Sequence, residues 1–232
     1  MIEELPTCAR HPEVKTGLSC RLCETPICPQ CMVADTIGFQ CPSCAGANTQ
    51  NIRTIGTPRA TLTGYLIGIA VGVYVFGELS GFNLVTNFGL AGFAINPLGE
   101  YYRFITALFV HGSILHIVFN MLILHSLGTA LEPRLGTAKF AMLYFGAGIG
   151  GGIASIFVNH PLTFSIGASG AIFGLMGAFI VFARQFRFDN RQILVLTGIN
   201  LVIGFVIPGI DWSAHIGGLL TGLAIATIMQ NK

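Results

Sequence analysis

The pattern of apolar and polar positions divides the chain in two. Up to about residue 60 it is polar and cysteine-rich; beyond that it becomes a succession of apolar runs punctuated by charges, Gly and Pro. The runs lie at 61–79, 113–131, 138–158, 168–183, 192–208 and 212–229. Each is near the ~20 residues that a helix needs to cross a ~30 Å hydrocarbon core. The pattern therefore predicts an all-α membrane protein, with a six-span bundle over 61–232, a small domain over 1–46 and a linker over 47–60. The connection at 80–112 is apolar and aromatic but too interrupted by Gly and Pro to span. It reads as an interfacial structure in the outer headgroup region anchored by Tyr101 and Tyr102, the alternative being a floppy external loop. The N-terminal MIEELPTCARHPE has no apolar run, so no cleavable signal peptide is expected and the first hydrophobic segment directs insertion.

Composition sharpens this division. Of the 232 residues 53% are hydrophobic and 9% charged, with a mean hydropathy of +0.72, against roughly 25% charged residues in a soluble domain. The net charge of +2 gives no reason to expect a nucleic-acid partner. Ten of the 22 charged side chains and all seven cysteines fall within the first 60 residues. With the N-terminus in the cytoplasm, eleven of the twelve Lys and Arg lie on the inner side and only Arg103 lies outside. The positive-inside rule then predicts a multi-pass protein of the plasma membrane with both termini cytoplasmic.

Ionisable and polar residues inside an apolar body are candidates for function. Ser169 opens the fourth span within GASG, flanked by Gly167 and Gly170. A helix N-terminus there offers unpaired N–H groups and the positive end of a dipole, a setting that stabilises an oxyanion. The plainer alternative is an ordinary N-cap serine. His215 lies at a similar shallow depth in the sixth span. Both residues head stripes of small side chains at fourfold spacing, Gly170, Gly174 and Ala178 on one span and Ala214, Gly218, Gly222 and Ala226 on the other. Such stripes let two helix backbones pack closely, which would bring a hydroxyl within reach of a general base. In the second span His111-x4-His116-x3-Asn120 places His116 and Asn120 on one helix face. They could supply oxyanion donors or serve as polar glue between helices, and spacing leaves both open. Asp211, four residues before His215, invites a triad reading but suits an N-cap or loop position better. No H-E-x-x-H is present, and the only aspartates, Asp35, Asp189 and Asp211, lie outside helix cores, so metalloprotease and aspartyl chemistries lack their residues.

The head reads Cys8-x2-His11, Cys20-x2-Cys23, Cys28-x2-Cys31 and Cys41-x2-Cys44. Eight ligands in four pairs suit two closed tetrahedral zinc sites, structural rather than catalytic. A redox C-x-x-C is the alternative, which the number of pairs disfavours. Spacing does not fix the pairing, although the short gap from Cys23 to Cys28 favours an interleaved arrangement in which Cys8, His11, Cys28 and Cys31 share one site. About 50 residues bury little core, so metal would supply the folding free energy.

Taken together, GASGAIFGL around Ser169, AHIGGLLTG around His215 and H-x4-H-x3-N in the second span resemble the rhomboid intramembrane serine proteases. Tyr102-Arg103 and LEPRLG at 131–136 resemble further segments of that family. The resemblance covers about 61–232. It implies a six-helix rhomboid bundle with Ser169 as nucleophile and His215 as general base in a dyad. His116, Asn120 and the Ser169 backbone N–H would be oxyanion donors, and His111 would structure the outer loop and water access. It also implies single-pass transmembrane proteins within the lipid bilayer as substrates, cut near the outer face. Phe173 stands where the family often has Tyr, keeping a ring to stack on the histidine. The head resembles B-box-like or zinc-ribbon-like modules such as precede some actinobacterial rhomboids, and a cytoplasmic protein partner is expected for it. Two other readings compete: an idle rhomboid-like protein that binds and escorts membrane clients, and a solute channel. The intact Ser169 and His215 disfavour the first, and the apolar sequence below His215 disfavours the second.

Overall fold

The chain is described here by a computed structural model that covers residues 5–35, 38–49, 61–186 and 191–230. It forms two compact units that divide between Arg59 and Ala60.

In the N-terminal unit, β1 (Thr7–Cys8) pairs antiparallel with β2 (His11–Lys15), and a 3-10 turn covers Pro29–Cys31. A second hairpin joins β3 (Val33–Asp35) to β4 (Gly38–Gln40), followed by α1 (Pro42–Thr49). Its buried hydrophobic cluster consists of Cys8, Cys20, Cys28, Cys31 and Cys41 with Ile27. A core of thiols and one isoleucine buries too little apolar surface to hold the fold without cross-links. The helix α1 runs three residues past Gly46, where the sequence reading ended this domain; residues 50–60 of the expected linker lie outside the described residues.

The second unit opens with α2 (Leu62–Ser80), capped by the Thr61 hydroxyl, which accepts from the Gly64 N–H at 3.1 Å. Three short helices follow, α3 (Leu84–Phe88), α4 (Gly92–Ile95) and α5 (Arg103–Thr106), then a 3-10 turn at Ala107–Phe109. The long helices are α6 (Ile114–Leu135), α7 (Thr137–Val158), α8 (Ser169–Phe186), α9 (Arg191–Val206) and α10 (Trp212–Gln230). Each of the six expected spans is thus a helix. By length and composition α2, α6, α7 and α10 can each cross a membrane; the apolar parts of α8 and α9, Ser169–Ala183 and Ile193–Val206, are shorter. Large apolar side chains such as Leu79, Phe119, Leu122, Phe157, Phe205 and Leu220 cover its exterior. A surface of that kind belongs in lipid, and the protein is a multi-pass membrane protein.

The connection between α2 and α6 is folded, which removes the floppy-loop alternative. Arg103, only 5% exposed, is its staple. Its Nε donates to Glu100 at 2.6 Å and its Nη1 to the carbonyls of Thr86 (3.0 Å) and Gly89 (2.7 Å). Leu90 exchanges two main-chain hydrogen bonds with Ser165, fastening the connection to the segment that leads into α8.

The helix α6 runs four residues past the expected end at 131 because Glu132 faces inward. Its carboxylate accepts from Leu62 N (2.7 Å), Thr63 N (2.9 Å) and Thr63 Oγ1 (2.7 Å), satisfying orphan donors at the start of α2. Gly136, at φ +80°, then turns the chain directly into α7.

The centre of the bundle is the trio α7, α8 and α10, with α10 packed most extensively on α8 and then on α7. The two predicted stripes do meet: Gly218 lies against the backbone of Gly170, and Gly222 against that of Gly174. The glycine-rich α7 is an unforeseen third party, since a Cβ on Gly151 would stand 2.6 Å from the carbonyl oxygen of Ala214. By comparison α9 touches its neighbours sparsely.

Candidate active site

Ser169 is the first residue of α8, half-buried, with the Ile172 N–H bonded to the carbonyl of Ala168 at 2.9 Å. Ala168 thus occupies the capping position and Ser169 the first helical one, so the ordinary N-cap account of this serine does not apply. One turn along α8, the Phe173 ring stacks on the imidazole of His215, with centroids 4.3 Å apart and planes 16° from parallel. The helix seam therefore brings the Ser169 end of α8 alongside His215, and phenylalanine performs the stacking without a hydroxyl.

His215 is buried, and its Nδ1 has no hydrogen-bond partner among the described residues. That nitrogen faces Gly204 of α9, where a Cβ would stand 3.4 Å away. Among the described residues no carboxylate bonds the ring. Asp211 instead caps α10, accepting from the Ala214 N–H at 3.1 Å, and it bonds Ser155, Asn159 and Ser213. Burial pushes its carboxyl up, but hydrogen bonds from Ser155, Ser165, Ser213 and the Ala214 N–H outweigh this and hold it below the usual carboxylate range. These contacts match the N-cap position expected for Asp211.

The third group comes from α6. Ser113 caps this helix by accepting from the His116 N–H at 3.2 Å. The His116 ring lies on Gly167, where a Cβ would stand 2.5 Å from Nε2 and 2.7 Å from Cε1. Gly167 also has φ +102°, so two independent constraints require glycine there. Asn120, 7% exposed, donates through Nδ2 to the His116 carbonyl at 2.8 Å, while its Oδ1 is buried without a partner among the described residues. His111 lies edge-on to His116 with centroids 4.9 Å apart, and its Nδ1 is 3.2 Å from the Phe109 carbonyl. Gly170 sits in the α8–α10 seam, 3.3 Å being left for a Cβ before the Ala214 oxygen. A cavity of about 20 Å³, bordered by Ser165, Gly167, Ser169, Gly170 and Ala214, adjoins the serine. A void of that size accommodates about one water. Ser169, His215, His116 and a water-sized space thus lie toward the N-terminal ends of α8, α10 and α6.

His125 and His160 are both exposed. Reading the sequence missed the cluster of Ser155, Asn159 and Ser213 around Asp211. Its one visible signal was Ser155 and Asn159, polar residues four apart in an otherwise apolar span.

In the N-terminal unit the eight expected ligands form two groups, Cys8, His11, Cys28 and Cys31, and Cys20, Cys23, Cys41 and Cys44, with the ligand atoms of each within 4.8 Å of one another. This is the interleaved pairing that the short gap favoured. Either group could hold a metal ion. The Cys20 thiol is lowered to about 6, chiefly by the backbone N–H of Cys41, which favours the thiolate that metals bind.

Six apolar helices carry Ser169 at the start of α8 and His215 on α10, two helices that pack on each other along a glycine seam. The family profile described as Rhomboid domain matches residues 98–232. The chain is 36% identical over 181 residues to rhomboid protease GluP of Bacillus subtilis, covering 74% of this chain and 35% of GluP. It is 34% identical over 141 residues to the putative rhomboid protease YdcA of the same organism, covering 58% of this chain and 70% of YdcA. It is also 34% identical over 138 residues to RHOMBOID-like protein 4 of Arabidopsis thaliana, spanning 34% of that protein and 56% of this one. The chain thus spans about a third of two of these relatives. It belongs to the rhomboid family.

Proposed function

We propose that this protein is an intramembrane serine endopeptidase that cuts single-pass transmembrane proteins near the outer membrane face. The observation that carries the reading is the stacking of His215 on Phe173, one turn from Ser169, along a seam of touching backbones. In this reading His215 takes the proton of the Ser169 hydroxyl as that oxygen attacks the scissile carbonyl. The resulting oxyanion is held by the Ser169 backbone N–H, His116 and the free N–H of Asn120. His215 then returns the proton to the leaving amine. A water drawn from the space beside Ser169 completes hydrolysis of the acyl-enzyme, with His111 at its approach. The dyad works without an acidic third member because Phe173 stacking and the α10 packing fix the imidazole.

The membrane reading extends to orientation: both termini lie in the cytoplasm of a plasma-membrane protein, supported by the eleven-to-one charge bias. The head holds two structural zinc ions. A tetrahedral zinc with ~2.3 Å bonds to sulfur sets its ligand sulfurs about 3.8 Å apart. Cys23 and Cys41 stand 3.8 Å apart, and His11 Nδ1 lies 3.3 Å from Cys28 and 3.4 Å from Cys31. Zinc would lock the two hairpins of a head that has almost no apolar core, leaving its surface to engage a cytoplasmic protein.

The test is cleavage of a single-pass reporter in liposomes by wild type, Ser169→Ala and His215→Ala. Cleavage by wild type alone, near the outer face, supports the dyad. A wild type that is inert but retains reporters on co-purification refutes it and favours an escort role.

A further inference from the structure

Asp211 has no part in the proposed chemistry, yet it gathers more hydrogen bonds than any site residue. Its Oδ1 accepts from Asn159 Nδ2 at 3.0 Å, from the Ala214 N–H at 3.1 Å and from the Ser213 hydroxyl; its Oδ2 accepts from the Ser155 hydroxyl. Asn159 Nδ2 also reaches the oxygens of Ser155 (3.0 Å) and Ser213 (3.2 Å), closing the cluster. Ser155 and Ser213 are 4% and 2% exposed, so these bonds do not compete with solvent.

The donors come from two segments, the end of α7 and the first turn of α10. Asp211 is joined to His215 through the main chain, since its carbonyl accepts the His215 N–H at 3.3 Å. His215 Nδ1 has no partner among the described residues. The ring is therefore oriented by the Phe173 stack and by the position of the first turn of α10, and whatever holds that turn holds the imidazole. We infer that Asp211 is a positioning residue for the dyad: its carboxylate ties the first turn of α10 to the end of α7, which itself packs on α8, and so sets His215 relative to the serine. In all four of these bonds the carboxylate is the acceptor.

The catalytic consequence rests on the protease reading; the structural one does not, and the experiment separates them. The full chain is purified as wild type, Asp211→Asn, Asp211→Ala, Ser155→Ala and the Asp211→Ala/Ser155→Ala double variant. For each, kcat and KM on a reporter, the rate of Ser169 labelling by a fluorophosphonate, and the rate of His215 modification by diethyl pyrocarbonate are measured alongside the melting temperature. Both Asp211 variants are expected to lose roughly 10- to 100-fold in kcat and labelling rate, the scale of an ångström-sized misplacement, with KM nearly unchanged. His215, now loosened, is modified several-fold faster. Ser155→Ala does less, and adding it to Asp211→Ala does little more, because the two act as one unit. Rates within twofold of wild type in kcat, labelling and His215 modification, or a loss confined to KM, overturn the inference. Should Asp211→Ala fail to fold, Asp211→Asn and Ser155→Ala decide it by the same measures. Should the wild type neither cleave nor label, the protease reading falls, and His215 modification alone decides whether Asp211 holds the ring.

Discussion

Substituting Gly167 by Ala adds one methyl group at the point where α6 meets the segment entering α8. The new Cβ would lie 2.5 Å from His116 Nε2 and 2.7 Å from Cε1, about an ångström inside ordinary contact. The imidazole must move by about that much, or the backbone must give. The backbone has its own objection, because φ +102° is unfavourable for any residue with a Cβ, at about 1–3 kcal/mol. If His116 supplies an oxyanion donor, its displacement removes an interaction of about 2.7–4 kcal/mol in the transition state, a loss of roughly 10²–10³ in kcat. KM should change little, since the donor acts on charge that develops after binding. The assay is reporter cleavage in liposomes at saturating substrate, with thermal unfolding measured on the same preparation. A Gly167→Ala variant that melts within a few degrees of wild type and retains kcat within about threefold would show that His116 does not act on the oxyanion.

Three other outcomes are expected. Phe173→Ala removes a stacked ring pair worth about 0.5–1.5 kcal/mol and should lower kcat roughly 2- to 12-fold, whereas Phe173→Tyr keeps the stack and stays near wild type; equal activity of all three would show that the stack is idle. Glu132→Ala leaves the donors of Leu62, Thr63 and Thr137 without their carboxylate, and a loss of about 3 kcal/mol should lower the melting temperature by roughly 5–10 °C. An unshifted melt would mean that water replaces the carboxylate at no penalty. Metal analysis of the intact protein should return two zinc ions per chain, and Cys8→Ser/Cys28→Ser should retain one; sequential rather than interleaved pairing would damage both sites and leave none.

Features that depend on local repetition were legible in the sequence. Span positions followed from the length of apolar runs, the α8–α10 seam from small residues at fourfold spacing, and the metal groups from the four C-x2-C/H pairs and the gap between Cys23 and Cys28. Features that depend on distant partners were not. Glu132 meets Leu62 70 residues away, and Asp211, legible as a cap of α10, meets Ser155 56 residues away, so neither long-range partnership is marked in its own neighbourhood. The short helices of the 81–113 connection are four or five residues long, too short to announce themselves by periodicity, and owe their shape to Arg103. In α7 the glycines at 146, 148 and 150–152 are so dense that no single stripe stands out, although Gly150 and Gly151 both face α10.

The contact of Gly218 with Gly170 and of Gly222 with Gly174 has a mechanical meaning. Two main chains in direct contact form a hard stop: no side chain lies between them to swing, compress or be exchanged for a slightly shorter one. The separation of the helices that carry Ser169 and His215 is thus gauged by the thickness of the polypeptide itself. Temperature and lipid thickness have little purchase on such a gauge. By contrast α9, lightly packed on both neighbours and lying against His215 at Gly204, has no such gauge.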